Sequence, residues 1–248
     1  MMRLTLEDPR FLKDSIAVIS ELVNEARFKI TKDAVELVAM DPANVAMVIY
    51  KLLSSSFVEY VLEEEVNLSI NLDNLKKVLR RISPGETLTL ELDKSKLKVT
   101  LKGRATRTFS LPILEFETKD QKIPELKFPV SVTLPPHLLE NAVEDVDIVA
   151  ESIVFEADNN TFTVNASGDL SDVKVELKAG EDVTIENSSQ VKMKARYSVE
   201  YMKKLVKGGK LANECKLSFD NNYPLKLEYK VVDRLLLAFI LAPRVDND

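Results

Sequence analysis

Two stretches decide the fold: Leu72-Asp73-Asn74-Leu75-Lys76-Lys77-Val78-Leu79-Arg80 and Val199-Glu200-Tyr201-Met202-Lys203-Lys204-Leu205-Val206-Lys207, which match position by position in apolar, acidic and basic character. The likeness extends downstream of both. A short loop leads to a strand (Leu88, Leu90 against Leu217, Phe219), then to Leu97-Lys98-Val99-Thr100-Leu101 against Leu225-Lys226-Leu227-Glu228-Tyr229, then to a last strand ending Leu111-Pro112 against Leu241-Ala242-Pro243. Ahead of each copy lie one helix and several strands. One supersecondary pattern repeated in order predicts two similar domains of roughly 120 residues.

The hydrophobic period separates the elements. Alternation in Thr87-Leu88-Thr89-Leu90-Glu91-Leu92 and Val173-Lys174-Val175-Glu176-Leu177 predicts strands with one wet face, as antiparallel sheets allow. A helical period predicts helices over 9–22, 71–82, 136–147 and 198–207. Between the repeats, Glu115 to Pro129 holds Pro124 and Pro129, mixed charge and no sustained period, so it reads as an exposed connector. The predicted division is 1–114, connector 115–129, and 130–248.

At 100° per residue, Leu72, Leu75, Val78, Leu79 and Ile82 cover one side of the second helix, and Lys76, Lys77, Arg80 and Arg81 the other. The fourth helix repeats this with Val199, Met202, Leu205 and Val206 inward and Lys203, Lys204 and Lys207 outward. The chain carries a formal net charge of −6, with 34 Lys and Arg against 40 Asp and Glu. Positive charge gathered on equivalent helices of an acidic protein points to a polyanion surface. With no flanking aromatics for base stacking, the implied contact is with phosphates and blind to sequence. The first helix is mixed outside (Arg10, Lys13, Asp14, Glu21), and the third is acidic there (Glu140, Glu144, Asp147).

Counting excludes much chemistry. The six glycines form no dinucleotide fingerprint, and Lys207-Gly208-Gly209-Lys210 lacks the reach and the Ser/Thr of a phosphate loop. A single histidine, His137, and a single cysteine, Cys215, supply no zinc cage and no disulfide. His137 reads as a helix-start residue and Cys215 as core. Neither a cofactor nor a metal is expected. Glu63-Glu64-Glu65, or Asp145 with Asp147, could be drafted as a metal-dependent carboxylate site, but neither has a neighbouring base, nucleophile or phosphate cradle. The first ten residues show no leader-like apolar region, and the longest apolar run, Leu235 to Ala242, is far short of a membrane span. No membrane is expected as a partner.

Edges give a second clue. Thr106 to Leu114 and Asp172 to Lys178 read as long alternating strands at the ends of their domains, where an open edge invites another chain. Pairing one edge with a different edge on the next copy is a heterologous contact that closes into a ring where the rotation permits.

With these features together, the sequence resembles the sliding clamps of the proliferating cell nuclear antigen (PCNA) family, archaeal type. The matching residues are Met40-Asp41-Pro42-Ala43-Asn44-Val45, Ser167-Gly168-Asp169-Leu170, Tyr223-Pro224-Leu225-Lys226-Leu227-Glu228-Tyr229 and Leu241-Ala242-Pro243-Arg244-Val245. The resemblance implies an α+β DNA clamp fold: antiparallel sheets outside, two helices per domain inside, and three chains closing a ring around duplex DNA. It makes Lys76, Lys77, Arg80, Arg81, Lys203, Lys204 and Lys207 the DNA-facing set, with Arg10 and Lys13 as weaker members. Relatives commonly carry basic residues on the third helix, where this chain has acids.

The resemblance also implies tethering of DNA polymerase, ligase and flap nuclease through their PCNA-interacting peptides, and opening by a clamp loader. The positions matching the peptide pocket are Met40, Val45, Ile123, Pro224, Ile240, Ala242 and Pro243. The strands pairing across subunits would carry Arg107, Phe109 and Leu111 on one side and Val173, Val175 and Leu177 on the other, with Asp172 and Glu176 as acidic partners for Arg107. The resemblance leaves open a ring of one kind of chain and a ring of clamp paralogues, and a checkpoint subunit or scaffold would share the fold. The implied location is the cytoplasm at the nucleoid in an archaeon and the nucleus in a eukaryote.

Overall fold

A computed structural model describes residues 1–115 and 121–244, so the middle of the expected connector and Val245 of the terminal motif lie outside the described residues. The first half runs β1 (Met2–Leu6), α1 (Arg10–Ile19), β2 (Glu25–Ile30), β3 (Ala34–Met40), β4 (Ala46–Leu53), β5 (Glu59–Leu62), β6 (Val66–Asn71), α2 (Leu72–Leu79), β7 (Thr87–Asp93), β8 (Lys96–Lys102) and β9 (Thr106–Pro112). The second runs β10 (Val130–Leu134), α3 (Pro136–Asp147), β11 (Ser152–Ala157), β12 (Thr161–Ser167), β13 (Asp172–Lys178), β14 (Thr184–Asn187), β15 (Met193–Ser198), α4 (Val199–Leu205), β16 (Cys215–Phe219), β17 (Leu225–Val231) and β18 (Leu235–Leu241). Element order is identical in the two halves: strand, helix, five strands, helix, three strands.

Two compact units divide the chain. One comprises Met1–Pro42, Val48–Ile123 and Val231–Leu237; the other comprises Ala43–Met47, Pro124–Lys230 and Ala238–Asp248. Strand orders repeat as the sequence does: β5-β1-β7-β8-β9 matches β14-β10-β16-β17-β18, and β6-β2-β3-β4 matches β15-β11-β12-β13. Pairing is antiparallel, as in Leu4 opposite Leu90 and Val132 opposite Leu217. Alternation does what the period requires, with Leu97, Val99 and Leu101 of β8 buried and the residues between them turned to water. In the first unit Leu4, Leu6, Ile16, Ile19 and Leu72 are fully buried. The second has an aromatic centre of Phe155, Phe162, Tyr197 and Phe219, with ring centroids 5.6–6.3 Å apart.

The ends of these sheets differ in one respect. β18 runs beside β4: Leu53 N–H donates to Arg234 O at 2.8 Å in the first unit, and Ala242 N–H donates to Val45 O at 2.9 Å in the second. Their counterparts in the repeat, β9 and β13, are terminal strands with no neighbour beyond them among the described residues. The bonds Ile113 N–H to Ser95 O and Gly103 N–H to Ala105 O, 3.0 and 3.1 Å, set the phase of the β8–β9 ladder. Residues opposite each other in an antiparallel pair alternate between bonded and non-bonded, so Arg107, Phe109 and Leu111 spend their backbone groups on β8. Thr106, Thr108 and Ser110 turn theirs outward, and Pro112 offers only a carbonyl. On β13, Gly168 N–H to Ser171 O and Ala179 N–H to Asn160 O, 2.9 and 2.8 Å, leave Asp172, Lys174, Glu176 and Lys178 facing outward in the same way.

Candidate nucleic-acid interface

Helix α2 starts where Asn71 Oδ1 accepts the Asn74 N–H at 2.9 Å, and it carries Asp73 in its first turn and Lys76 and Lys77 in its last, each sign matching the helix dipole. Its apolar stripe is buried as the period predicts, at Leu72, Leu75, Val78 and Leu79. Lys77, Arg80 and Arg81 are exposed, and no ion pair joins any of them to a described residue. Lys76 departs from the expectation of an outward, solvated cation. Its side chain is only 13% exposed, and its ammonium lies 3.0 Å from Glu21. Position 76 lies on the flank of the helix, where the turn after α1 brings that carboxylate alongside.

Helix α4 buries Val199, Met202 and Leu205. The helical reading to residue 207 is corrected by one step: α4 ends at Leu205 and the chain tightens into a 3₁₀ turn over Val206–Leu211. Two glycines make that turn fit. A Cβ at Gly208 would lie 2.5 Å from the Tyr229 ring, and one at Gly209 2.7 Å from the Pro136 side chain. The Gly-Gly pair rejected as a phosphate loop is thus a packing device that lays the turn on β17 and α3. The turn carries Lys207 and adds Lys210, an exposed cation that the helical period did not single out. The Lys-Gly-Gly-Lys spacing was the available signal.

The α4 lysines are engaged. Lys203 Nζ lies 2.6 Å from Asp147 Oδ2, and Lys204 Nζ 2.8 Å from Glu200 Oε1 and 5.1 Å from the centre of the Tyr201 ring. On α1, Arg10 is paired with Asp8 at 2.5 Å, and Lys13 is half-buried. Hydrogen bonding from Arg10 holds the Asp8 carboxyl below its ordinary range.

The expected partner-peptide positions fall in both units. In the first, Met40 is half-buried at the end of β3 and Ile123 is 49% exposed. In the second, Val45, Pro224, Ala242 and Pro243 are half-buried, whereas Ile240 is buried at 8% exposure. The backbone carbonyl of Val45 is taken by Ala242.

Among the expected interface residues, Phe109, Leu111, Val173, Val175 and Leu177 are half-buried on one face of each terminal strand. Arg107 is held within its own chain: its guanidinium bonds Glu86 at 2.5 Å and the Arg81 carbonyl at 3.0 Å. Glu86 also accepts the Ser83 N–H, and this bond, ahead of Arg107, lowers its pKa. Glu176, one of the two acids suggested for Arg107, is 2.8 Å from Lys174.

Cys215 is 1% exposed, and burial pushes its thiol up to about 12, which removes it as a nucleophile. Among the described residues no group of three or more His, Cys, Asp or Glu could hold a metal, and no helix is long and apolar enough to cross a membrane.

Duplicated α+β domains with antiparallel sheets, paired helices and open terminal strands define a clamp-type architecture. Residues 1–120 match the N-terminal domain of proliferating cell nuclear antigen, and residues 122–244 match its C-terminal domain. The chain is 34% identical over 249 residues to a DNA polymerase sliding clamp of Nanoarchaeum equitans, covering 99% of this chain and 100% of that one. It is 36% identical over 233 residues to that of Pyrococcus furiosus, 94% of each chain. The crystal structure of PCNA from Thermococcus kodakaraensis superposes with a TM-score of 0.92 at 28% identity, over 98% of this chain and all of that one. The chain belongs to the proliferating cell nuclear antigen family.

Proposed function

We propose that this protein is a DNA sliding clamp: three copies close a ring around duplex DNA and tether DNA polymerase, ligase and flap nuclease by their PCNA-interacting peptides, after loading by a clamp loader. Its clamp domains are 1–114 and 130–248, with 115–129 as connector. Retention comes from enclosure, with no reaction catalysed. The supporting observation is the repeat of strand orders. β18 has β4 beside it, while the equivalent strands β9 and β13 have open edges with outward N–H and C=O groups. Pairing β9 of one copy with β13 of the next reproduces between chains the pairing of their counterparts β18 and β4. In that pairing Arg107, Phe109 and Leu111 meet Val173, Val175 and Leu177 on one face.

DNA contact rests on Lys77, Arg80 and Arg81; Lys76, Lys203, Lys204, Lys207, Arg10 and Lys13 complete the DNA-facing set, with Lys76, Lys203, Lys204 and Arg10 each engaged by a carboxylate of its own chain. In the second unit the partner peptide is received by Val45, Pro224, Ile240, Ala242 and Pro243. The homotrimer is the simplest assembly, and mixing with clamp paralogues shows whether a heterotrimer replaces it. Loading onto circular against linear DNA tests the reading. A topological ring stays on the circle and runs off free ends; equal retention on both forms, or turnover of the DNA, refutes it.

A further inference from the structure

In the second unit, α3 and α4 lie antiparallel, with Gly209 packed on Pro136 at one end and Lys203 bonded to Asp147 at the other. Glu140, Glu144 and Asp147 stand at i, i+4 and i+7 and so share one flank of α3, the flank that meets Lys203. On the helix surface of this unit, Lys203, Lys204, Lys207 and Lys210 are outnumbered by Glu140, Glu144, Asp145, Asp147 and Glu200. The first unit presents Lys77 in the last turn of α2, with Arg80 and Arg81 just beyond its end at Leu79 rather than on a helix running to residue 82, and none has a carboxylate at ion-pair distance among the described residues. Of the repeated helix cations, the first unit therefore has Lys76 alone offset by a carboxylate, Glu21, while in the second unit both Lys203 and Lys204 are offset, by Asp147 and Glu200.

We propose that the acidic flank of α3 is a repulsive element built into the DNA-facing surface, with Asp147 as the residue that withholds Lys203 from phosphates. This rests on the clamp reading and assigns the adhesion within it. Each cation that reaches a phosphate releases counterions, raises affinity and steepens its salt dependence. A ring held by topology has no need of that adhesion, and every added contact resists sliding. Carboxylates beside the lysines keep phosphate contact concentrated on α2, by the same logic through which specific surfaces use misplaced charges against unwanted contact.

The test is fluorescence anisotropy of a short duplex titrated with native and variant protein between about 50 and 200 mM salt. Asp147→Asn frees Lys203 and is expected to tighten binding about threefold per copy at the low-salt end, with the log–log slope steeper by about 0.9 per copy. Asp147→Glu, which keeps the carboxylate, retains the native curve. Glu144→Gln, for which no ion pair is found among the described residues, tightens binding in the same direction and serves should Asp147→Asn lower the melting temperature. If neither neutralising variant changes affinity or slope while Lys77, Arg80 and Arg81→Ala weakens binding, the repulsive element is wrong and the clamp reading stands. If the triple variant also binds as native protein does, the DNA-facing assignment fails and takes this inference with it. Tightening that persists undiminished at high salt overturns the electrostatic account.

Discussion

Thr108→Pro is the sharpest test of ring closure through β9. Thr108 sits opposite Thr100 at a position whose backbone groups point away from β8, so proline there leaves the intrachain ladder intact. Proline is tolerated on an edge strand where its missing N–H would face outward. What it removes is one donor to the incoming strand. The partner carbonyl, buried at the junction and left without a donor, costs about 1–3 kcal/mol. At 1.4 kcal/mol per factor of ten, that weakens each interface by about 5- to 150-fold. Sedimentation velocity over a dilution series reads the effect: the native ring persists to lower concentration than the variant, while the melting curve of the dilute protein is unchanged. Thr108→Ala keeps the backbone donor and associates like native protein. Lys174→Pro makes the reciprocal perturbation on β13. Unaltered mass for both proline variants, or an equal loss for Thr108→Ala, refutes the assignment of strand addition at this edge.

Other expectations are as direct. Val45→Glu places a charge on the half-buried lip of the proposed peptide seat and lowers affinity for a PCNA-interacting peptide by about tenfold or more in calorimetry, without loss of melting temperature. Cys215 resists thiol reagents in the native state at pH 8 and reacts only on unfolding, because burial raises its pKa to about 12; rapid native labelling contradicts the packing. Glu86 has its pKa lowered in the fold by the Ser83 amide and Arg107, so its contribution is complete above its ordinary value of 4.5 and is lost as pH falls through the lowered one. Glu156 and Glu186, lowered by Lys192 and by Ser131 respectively, act in the same direction. Melting temperature is therefore flat from neutral pH to about 5 and falls in more acid solution, and Glu86→Gln flattens part of that fall.

The repeat of helix and strand patterns was legible because duplicated topology leaves duplicated periodicity. Leu72, Leu75, Val78 and Leu79 were assigned inward on the helical period and are buried, and the same holds at Val199, Met202 and Leu205. Periodicity gives a direction relative to the helix axis but not the identity of a neighbour on another element. That is why Lys76 was read as a solvated cation when Glu21 of a distant turn covers it, and why Glu86 was not foreseen as the partner of Arg107. The same holds at Lys203, whose helical position points it outward while Asp147 of α3 lies beside it. The strand edges were recognisable from alternation, but which backbone groups remain open depends on ladder phase, a property of pairing that no single strand encodes. The close of α4 into a 3₁₀ turn depended on Gly208 lying under Tyr229 and was equally beyond local reading.

Pro112 occupies the last outward position of β9 and brings a carbonyl with no amide beside it. A visiting strand that slid along this edge to recruit position 112 would find a missing rung there, so the proline works as a stop. In the proposed ring, the seam between neighbouring molecules would thereby have an end point as well as a line, and every seam one length.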